Sequence, residues 1–469
     1  MSLDFHFGMD YKDETIAAIA TPVGIGGIGI IKISGRLTEA IAQNIFRPRR
    51  PIKSLDNFRL YLGHIIDPDS GLPIDEVLLS IMRGPFSYTR EDVVEINSHS
   101  GYAILSRVLQ IILLSGARLA KPGEFTLRAF LNGRIDLTQA EAVADLINAK
   151  SEASLYLAAH QLSGGFLTRL EELREKLLEI LIEIGACVDF PDDQPIRIDR
   201  HRMGDRIHTA ILEPIKELVA AFSQRKMWQE GITLVIVGRV NVGKSSIFNR
   251  VLQKERALVT PIPGTTRDII ECGISIKGIP VRLMDTAGMR KARGMVEKKG
   301  LGLTKACLTS ADIILLVIDR SKALMKYDTE TLRRVTKKRV IVVINKIDLP
   351  QKVSEKKLEG AFNNLPRVFV SALTGEGFND LVNAIHERVI NTAAVMPSAP
   401  IVPNLRHTIA LRRAGDCLEK AATNIVDGLP LEIVAADLVW AKNSIDEITG
   451  KRISDEVIDG VFTRFCLGK

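Results

Sequence analysis

The stretch Thr233-Leu234-Val235-Ile236-Val237 running into Gly238-Arg239-Val240-Asn241-Val242-Gly243-Lys244-Ser245 restricts this chain more than any other part of it. A continuous apolar β-type run enters a glycine-bounded loop that closes on Lys-Ser, and a helix start must follow. Strand, tight loop and helix in that order make a phosphate-wrapping loop. The glycines let backbone N–H groups close around phosphate oxygens. Lys244 brings a point charge to them, and Ser245 offers a hydroxyl to Mg²⁺. The helix N-terminus adds its positive dipole end.

Later segments extend this reading. Val281-Arg282-Leu283-Met284 is strand-like and ends in Asp285-Thr286-Ala287-Gly288. An acid there can hold hydrated Mg²⁺, and the Gly288 N–H can meet a γ-phosphate. Val340-Ile341-Val342-Val343-Ile344 ends in Asn345-Lys346-Ile347-Asp348. A carboxylate at Asp348 can accept from guanine N1 and N2. Adenine lacks that donor pair, so the pattern favours GTP over ATP. Val368-Phe369-Val370 leads into Ser371-Ala372-Leu373, whose backbone can meet the base. Between these lies Gly264-Thr265-Thr266-Arg267-Asp268, in which Thr266 is suited to sense γ-phosphate and Mg²⁺. Each piece alone is weak, whereas their order and spacing together specify a Ras-like P-loop GTPase spanning roughly 231–390. Met289 stands where Ras-type enzymes carry a water-orienting glutamine. Asn241, inside the loop, is open to two readings: a monovalent-cation ligand beside the phosphates, or a solvent-facing loop residue.

At 469 residues the chain needs more than one core. Its 46% hydrophobic and 25% charged residues are ordinary for a globular protein. No apolar run reaches the roughly 18 residues of a membrane span, and the start MSLDFHFGMDYKDE lacks a secretory pattern. Five scattered cysteines without a CxxC pair suggest neither a disulfide framework nor a zinc site, and point to a reducing cytoplasm. A net charge of +7 is compatible with an anionic partner such as nucleic acid, or with ordinary dispersed surface charge.

Residues 15–20, 28–33, 75–80 and 92–96 read as strands and 102–114 as a helix, giving a mixed α/β start. From Leu137 to about Phe190, and again over Arg202 to Met227, apolar residues recur at helical spacing. The uncharged, proline-rich stretch Ala393 to Asn404 reads as a linker, followed by helix again to Phe465. The expected architecture is multidomain: an α+β N-terminal domain (1–134), a helical bundle in two pieces (135–228 and 393–469), and an inserted Ras-like P-loop α/β G domain (229–392).

The loop GRVNVGKSS, the segments GTTRD, DTAGMR and NKID, and the terminal Cys466-Leu467-Gly468-Lys469 together resemble the MnmE (TrmE) family of tRNA modification GTPases. So do TIAAIATPVGIGGIGIIKISG (15–35), SYTREDVVEI (87–96) and PGEFTLRAFLNGRIDLTQAEAVAD (122–145), and the resemblance covers essentially the whole chain. It implies an N-terminal folate-binding and dimerising domain. It implies a cytoplasmic, K⁺-activated GTPase acting with the flavoprotein MnmG (GidA), which carries FAD, as a heterotetramer built on a homodimer. The pair adds a carboxymethylaminomethyl group to C5 of the wobble uridine of certain tRNAs. 5,10-Methylene-tetrahydrofolate, or its 5-formyl analogue, supplies the one-carbon unit.

Carried onto this sequence, the resemblance implies K⁺ ligands at Asn241, Thr260, Ile262 and Thr265, and Mg²⁺ ligands at Ser245 and Thr266. GTP would be held by Asn241, Val242, Gly243, Lys244, Ser245, Ser246, Thr260, Pro261, Ile262, Pro263, Gly264, Thr265, Thr266, Asp285, Thr286, Ala287, Gly288, Asn345, Lys346, Asp348, Ser371, Ala372 and Leu373. Glu297 would position the hydrolytic water, with Lys244 and Arg267 as further catalytic residues. Lys32, Glu95, Arg134 and Lys469 would hold folate, whose carboxylates and donor edge suit basic groups and one acid. Cys466 reads as a buried structural cysteine, with a nucleophilic role as the alternative. Asn97-Ser98-His99-Ser100-Gly101 departs from the family in placing serines where glycines are common. The competing functional readings are a GTP-dependent ribosome-assembly or binding switch without tRNA chemistry, and a folate-binding protein with a vestigial GTPase.

Overall fold

The computed structural model describes residues 14–24, 26–149, 151–189, 199–229, 231–254, 270–277, 279–285, 311–325, 328, 339–362, 365–390, 401–463 and 465–469. Among them are two compact units. One comprises the described residues of Met1–Ile147, Gln161–Leu212 and Ala410–Lys469, and the other those of Asn148–His160 and Glu213–Ile409.

The first unit is built on a seven-stranded sheet. Its strands are β1 (Ile16–Ile19), β2 (Gly29–Ser34), β3 (Phe46–Pro48), β4 (Leu60–Ile66), β5 (Pro73–Met82), β6 (Val93–Ser98) and β7 (Arg118–Leu119), in the order β3-β4-β5-β6-β2-β1-β7. Helices α1 (Thr38–Ile45) and α2 (Tyr102–Leu114) bury Ile41, Ile45, Leu105, Val108 and Ile112 with Ile31, Ile33, Leu79, Ile81, Val94 and Ile96 of the sheet. Along β4 buried and more exposed positions alternate, as a one-sided strand requires. The observed β1, β2, β5, β6 and α2 fall where strands and a helix are read from the sequence, and α2 has the expected bounds. The strands β3, β4 and β7 and the short helix α1 carry no comparable signal; β4 is interrupted by Gly63, which abuts the Arg47 carbonyl and the Phe46 ring.

Beyond β7 this unit becomes helical. Helices α3 (Glu124–Leu131) and α4 (Leu137–Ile147) share a core with the C-terminal residues Ile458, Val461, Phe462 and Phe465. Helices α6 (Gly165–Asp189) and α7 (Arg200–Ile207) follow, and a π-turn at His208–Leu212 ends this segment; α5 (Glu152–Leu162), before α6, falls almost wholly in the second unit, and α8 (Glu213–Gln229), after the π-turn, falls wholly in it. The C-terminal helices α12 (Leu405–Val426), α13 (Leu431–Thr449) and α14 (Asp455–Phe462) complete the chain. Arg174 on α6 donates from Nε to Asp446 Oδ1 on α13 at 2.8 Å, and Lys442 donates to Oδ2 at 2.7 Å. Gly204 on α7 lies so close to α12 that a Cβ would come within 2.8 Å of Val426. The tail therefore packs on helices more than 200 residues earlier, as an interrupted bundle requires.

The second unit is a six-stranded sheet of β8 (Ile232–Gly238), β9 (Ile270–Ile276), β10 (Ile279–Asp285), β11 (Ile313–Asp319), β12 (Arg339–Asn345) and β13 (Arg367–Val370), ordered β13-β12-β11-β8-β10-β9. Every pair is parallel except the edge pair β9–β10. All seven residues of β11 are buried, which is why the run IILLVI before the closing Asp319 is apolar throughout instead of alternating. One face packs on α9 (Lys244–Lys254) and α11 (Phe378–Ile390) through Ile247, Val251, Phe378 and Leu381. The other packs on α10 (Glu355–Ala361) through Leu358. Among the described residues no helix is long and apolar enough to cross a membrane.

Candidate nucleotide and folate sites

Parallel strands bring their carboxyl ends to one edge, and in doubly wound sheets ligands bind in the crevice there. Gly238 lies opposite Val317 of β11, Asp285 opposite Ile236 of β8, and Asn345 opposite Asp319. The loop Arg239–Gly243, the end of β10, the Asn345–Asp348 segment and Ser371 thus emerge together from a single edge.

Inside the loop, Gly243 (φ 99°) sits against Asn345 so closely that any Cβ would overlap its Nδ2. Asn345 is buried, donates from Nδ2 to the Val242 carbonyl at 2.8 Å, and accepts on Oδ1 from the Ala372 N–H at 3.1 Å. One amide side chain therefore joins the phosphate loop to the Ser371–Leu373 loop. Lys244 is 8% exposed, and its Nζ donates to the Arg239 carbonyl at 2.6 Å, which keeps the ammonium within the loop. Ser245 and Ser246 are exposed in the first turn of α9. A glycine-lined turn with an enclosed ammonium and a helix N-terminus fits a polyphosphate, and the exposed Ser245 hydroxyl fits a Mg²⁺ held mainly by water and phosphate.

Lys346 and Asn241 both adopt left-handed backbone (φ 66° and 64°), and Lys346 Nζ donates to the Asn241 carbonyl at 2.9 Å. Strained non-glycine residues of this kind persist where surrounding structure holds them, commonly at ligand sites. Asn241 itself is exposed. Asp348 is exposed and accepts on Oδ1 from the buried Ser371 hydroxyl at 2.6 Å. Leu373, two residues beyond Ser371, is 78% exposed. An aimed carboxylate beside apolar surface suits a planar base with two N–H donors.

Asp319 is a site residue not singled out from the sequence. Fully buried at the end of β11, it accepts from Lys346 Nζ at 2.7 Å and from the Ser321 N–H and hydroxyl at 3.0 and 2.6 Å. Burial pushes its carboxyl up, but the Lys346 and Ser321 hydrogen bonds outweigh that and hold it below the ordinary carboxylate value. It fixes Lys346. The available signal is the apolar run IILLVI ending in a lone acid; Asp285 likewise closes a strand, one that also carries Arg282.

In the first unit, antiparallel register sets Lys32 of β2 opposite Glu95 of β6, with Nζ 3.4 Å from Oε1. Tyr88, in the loop before β6, carries Lys32 Nζ at 5.9 Å and the Arg134 guanidinium at 4.7 Å from its ring centre. Glu95 thus pairs with Lys32, and Tyr88, absent from the expected set, is the common neighbour of the two cations Lys32 and Arg134. The fourth, Lys469, is tied by its backbone: its carbonyl accepts from the Phe125 N–H at 3.2 Å. A Cβ on Gly468 would stand 2.6 Å from the Ile19 carbonyl, so the tail is pressed against β1. Two cations, an acid and an aromatic ring fit the carboxylates and heterocycle of a folate.

Residues 137–466 match the family model for the MnmE helical domain, and residues 15–134 match that for the GTP-binding protein TrmE N-terminus. The chain belongs to the MnmE family of tRNA modification GTPases. Curated MnmE proteins resemble it along their whole length: 41% identity over 98% of this chain and 100% of the relative from Acetivibrio thermocellus, and 43% over 98% and 100% from Geotalea uraniireducens. The relative from Carboxydothermus hydrogenoformans is 43% identical over 97% of this chain and 100% of its own. A solved G domain of the T. maritima FeoB iron transporter is 27% identical, covering 34% of this chain and 98% of its own, with a TM-score of 0.27. MnmE-family members are GTP hydrolases, and both family domains are present here around the P-loop sheet.

Several residues that MnmE membership brings into question lie outside the described set: Thr260, Pro261, Ile262, Pro263, Gly264, Thr265, Thr266, Arg267, Thr286, Ala287, Gly288, Met289 and Glu297. Of Asp285, only the backbone is described. Two MnmE-site features gain a physical account. Ser100, one of the serines expected to depart from the family pattern, is buried; its hydroxyl accepts from the Gly26 N–H at 3.0 Å and donates to the Gly24 carbonyl at 3.2 Å, fastening the turn before β2. Cys466 is exposed, which corrects the expectation of a buried structural cysteine. Its neighbours Phe465 and Gly468 fill the contacts with the body of the unit and leave the thiol outside.

Proposed function

We propose that this chain is a K⁺-activated GTPase that, with the flavoprotein MnmG (GidA), adds a carboxymethylaminomethyl group to C5 of the wobble uridine of certain tRNAs, using a tetrahydrofolate one-carbon unit. The observation that carries the GTP part is the hydrogen-bonded set Val242–Asn345–Ala372 with Ser371–Asp348, which ties phosphate loop and base loop into one preformed cradle. Lys244 stabilises the β and γ oxygens; Ser245 and Thr266 hold Mg²⁺, which neutralises charge as it develops during hydrolysis. Asp348 selects guanine. Glu297 orients the attacking water in place of a glutamine, Arg267 assists, and Asn241, Thr260, Ile262 and Thr265 ligate K⁺. The folate part is supported by the meeting of Lys32 and Arg134 at one ring, with Glu95 paired to Lys32.

The domain boundaries assigned to this function are 1–134 for folate and dimerisation, 135–228 with 393–469 for the helical bundle, and 229–392 for GTP. The working form is a cytoplasmic homodimer that meets MnmG, the holder of FAD, and tRNA. The test is GTP hydrolysis by the purified chain in potassium and in sodium buffers of equal ionic strength. Faster turnover in potassium is expected. Equal rates would remove the K⁺ role while leaving GTP hydrolysis in place.

A further inference from the structure

We infer that Tyr88 is the positioning residue of the folate pocket, its ring holding the Lys32 ammonium and the Arg134 guanidinium in one arrangement for an anionic folate. This rests on the folate reading above and deepens it. Lys32 and Arg134 lie 102 positions apart, on β2 and after α3, and, both being cationic, form no ion pair with each other. Both cations instead lie within ~6 Å of the same aromatic centre, the range in which a ring's negative face attracts them. Arg134 is an exposed, long side chain, which would otherwise sample many rotamers. Two like charges approaching one ligand also repel; Glu95 offsets part of that at Lys32, and the aromatic ring attracts both cations without adding a further negative charge. A carboxylate in Tyr88's place would form ion pairs with both and compete with the ligand's own anionic groups. The ring does not.

The loop that presents Tyr88 is held on both sides. Its hydroxyl lies 3.0 Å from Thr126 Oγ1, a fully buried position on α3. The next residue, Thr89, is also fully buried; its hydroxyl lies 2.7 Å from Ser34 Oγ, and its carbonyl accepts from Asn132 Nδ2 at 2.7 Å. Glu91 accepts from Arg128 Nη1 on both oxygens, at 3.1 and 2.9 Å. With the backbone fastened to β2 and to α3, the ring has one place to be, and the cations are aimed by it.

The test measures the affinity of the full-length protein for 5-formyl-tetrahydrofolate in wild type, Tyr88→Leu and Tyr88→Phe, with thermal unfolding as the folding control. Loss of the ring in Tyr88→Leu is expected to weaken binding about tenfold, the combined effect of two cation–π contacts. Tyr88→Phe keeps the ring, gives up only the Thr126 contact, and should bind within about threefold of wild type. Should Tyr88→Leu fail to fold, Tyr88→Met supplies the non-aromatic comparison and carries the same expectation. Wild-type binding with full affinity in the folded non-aromatic variant overturns the role of Tyr88 and leaves the folate reading intact. Equal loss in Tyr88→Phe and Tyr88→Leu also overturns it, because the hydroxyl would then be the operative group. Absence of binding in wild type overturns the folate reading itself, and this inference with it.

Discussion

In the proposed GTP site, Asp348 discriminates guanine only while its carboxylate is aimed, and the Ser371 hydroxyl at 2.6 Å aims it. Replacing it by an amide removes half of the two-acceptor pattern, so Asp348→Asn should weaken GTP binding by about a hundredfold or more while ATP binding changes little. Competition against a fluorescent guanine nucleotide measures both. Asp319 works one step back, through Lys346. Asp319→Ala should free Lys346 and weaken GTP binding by about tenfold, in keeping with the loss of a charged hydrogen bond. The pH behaviour follows from the sign of its shift. A depressed acid contributes fully above its unfolded value, near ~3.9, and loses that contribution only as pH falls through the lower folded value. GTP affinity measured from about pH 8 down to about pH 5 should therefore show no titration through this latch.

At the scale of an element, α3 is held to the sheet by charge as well as by apolar packing. Arg128 is 2% exposed and bonds Glu91 and the buried Glu124, while Arg118 bonds both oxygens of Glu124 at 2.7 and 2.8 Å. For Glu124, burial raises the carboxyl, and the bonds from Arg118 and the Lys121 N–H overcome it. Such a cluster costs little while complete and much when broken, since the remaining charges stay buried without a partner. Arg128→Met should destabilise the first unit by about 3–5 kcal/mol, read from urea denaturation. Near-wild-type stability would show that water reaches the two glutamates.

For the whole molecule, the division into two compact units predicts two unfolding transitions. Each unit has its own core: Ile33, Leu79 and Ile96 in one, Leu234, Leu315 and Ile341 in the other. A ligand stabilises only the part it binds, by about 2.7 kcal/mol at a hundredfold excess over Kd. GTP should therefore raise the transition of the unit carrying the P-loop sheet and leave the other in place in differential scanning calorimetry. A single transition that moves as one with GTP would show that the units unfold as one cooperative block.

The sequence by itself determined the features whose physics is local. The apolar run before GRVNVGKS dictates a buried parallel strand, and Gly243 is needed where Asn345 Nδ2 leaves no room for a side chain. The acid closing NKID carries the expectation of a guanine partner, because hydrogen-bond donors and acceptors are fixed by residue type. The helical spacing after Leu137 and the proline-rich break at 393–404 announce an interrupted bundle. Only the tertiary structure decided what depends on distant partners. Asp319 acquires its role from Lys346, 27 residues on, and Tyr88 from cations that β2 and the turn after α3 bring to one ring. The chemistry of Cys466 favours burial, but the contacts of Phe465 and Gly468 decide which way that short tail faces. Spacing along a chain encodes periodicity and turn geometry; which charges meet is set by strand register and helix packing, and these exist only once the chain has closed on itself.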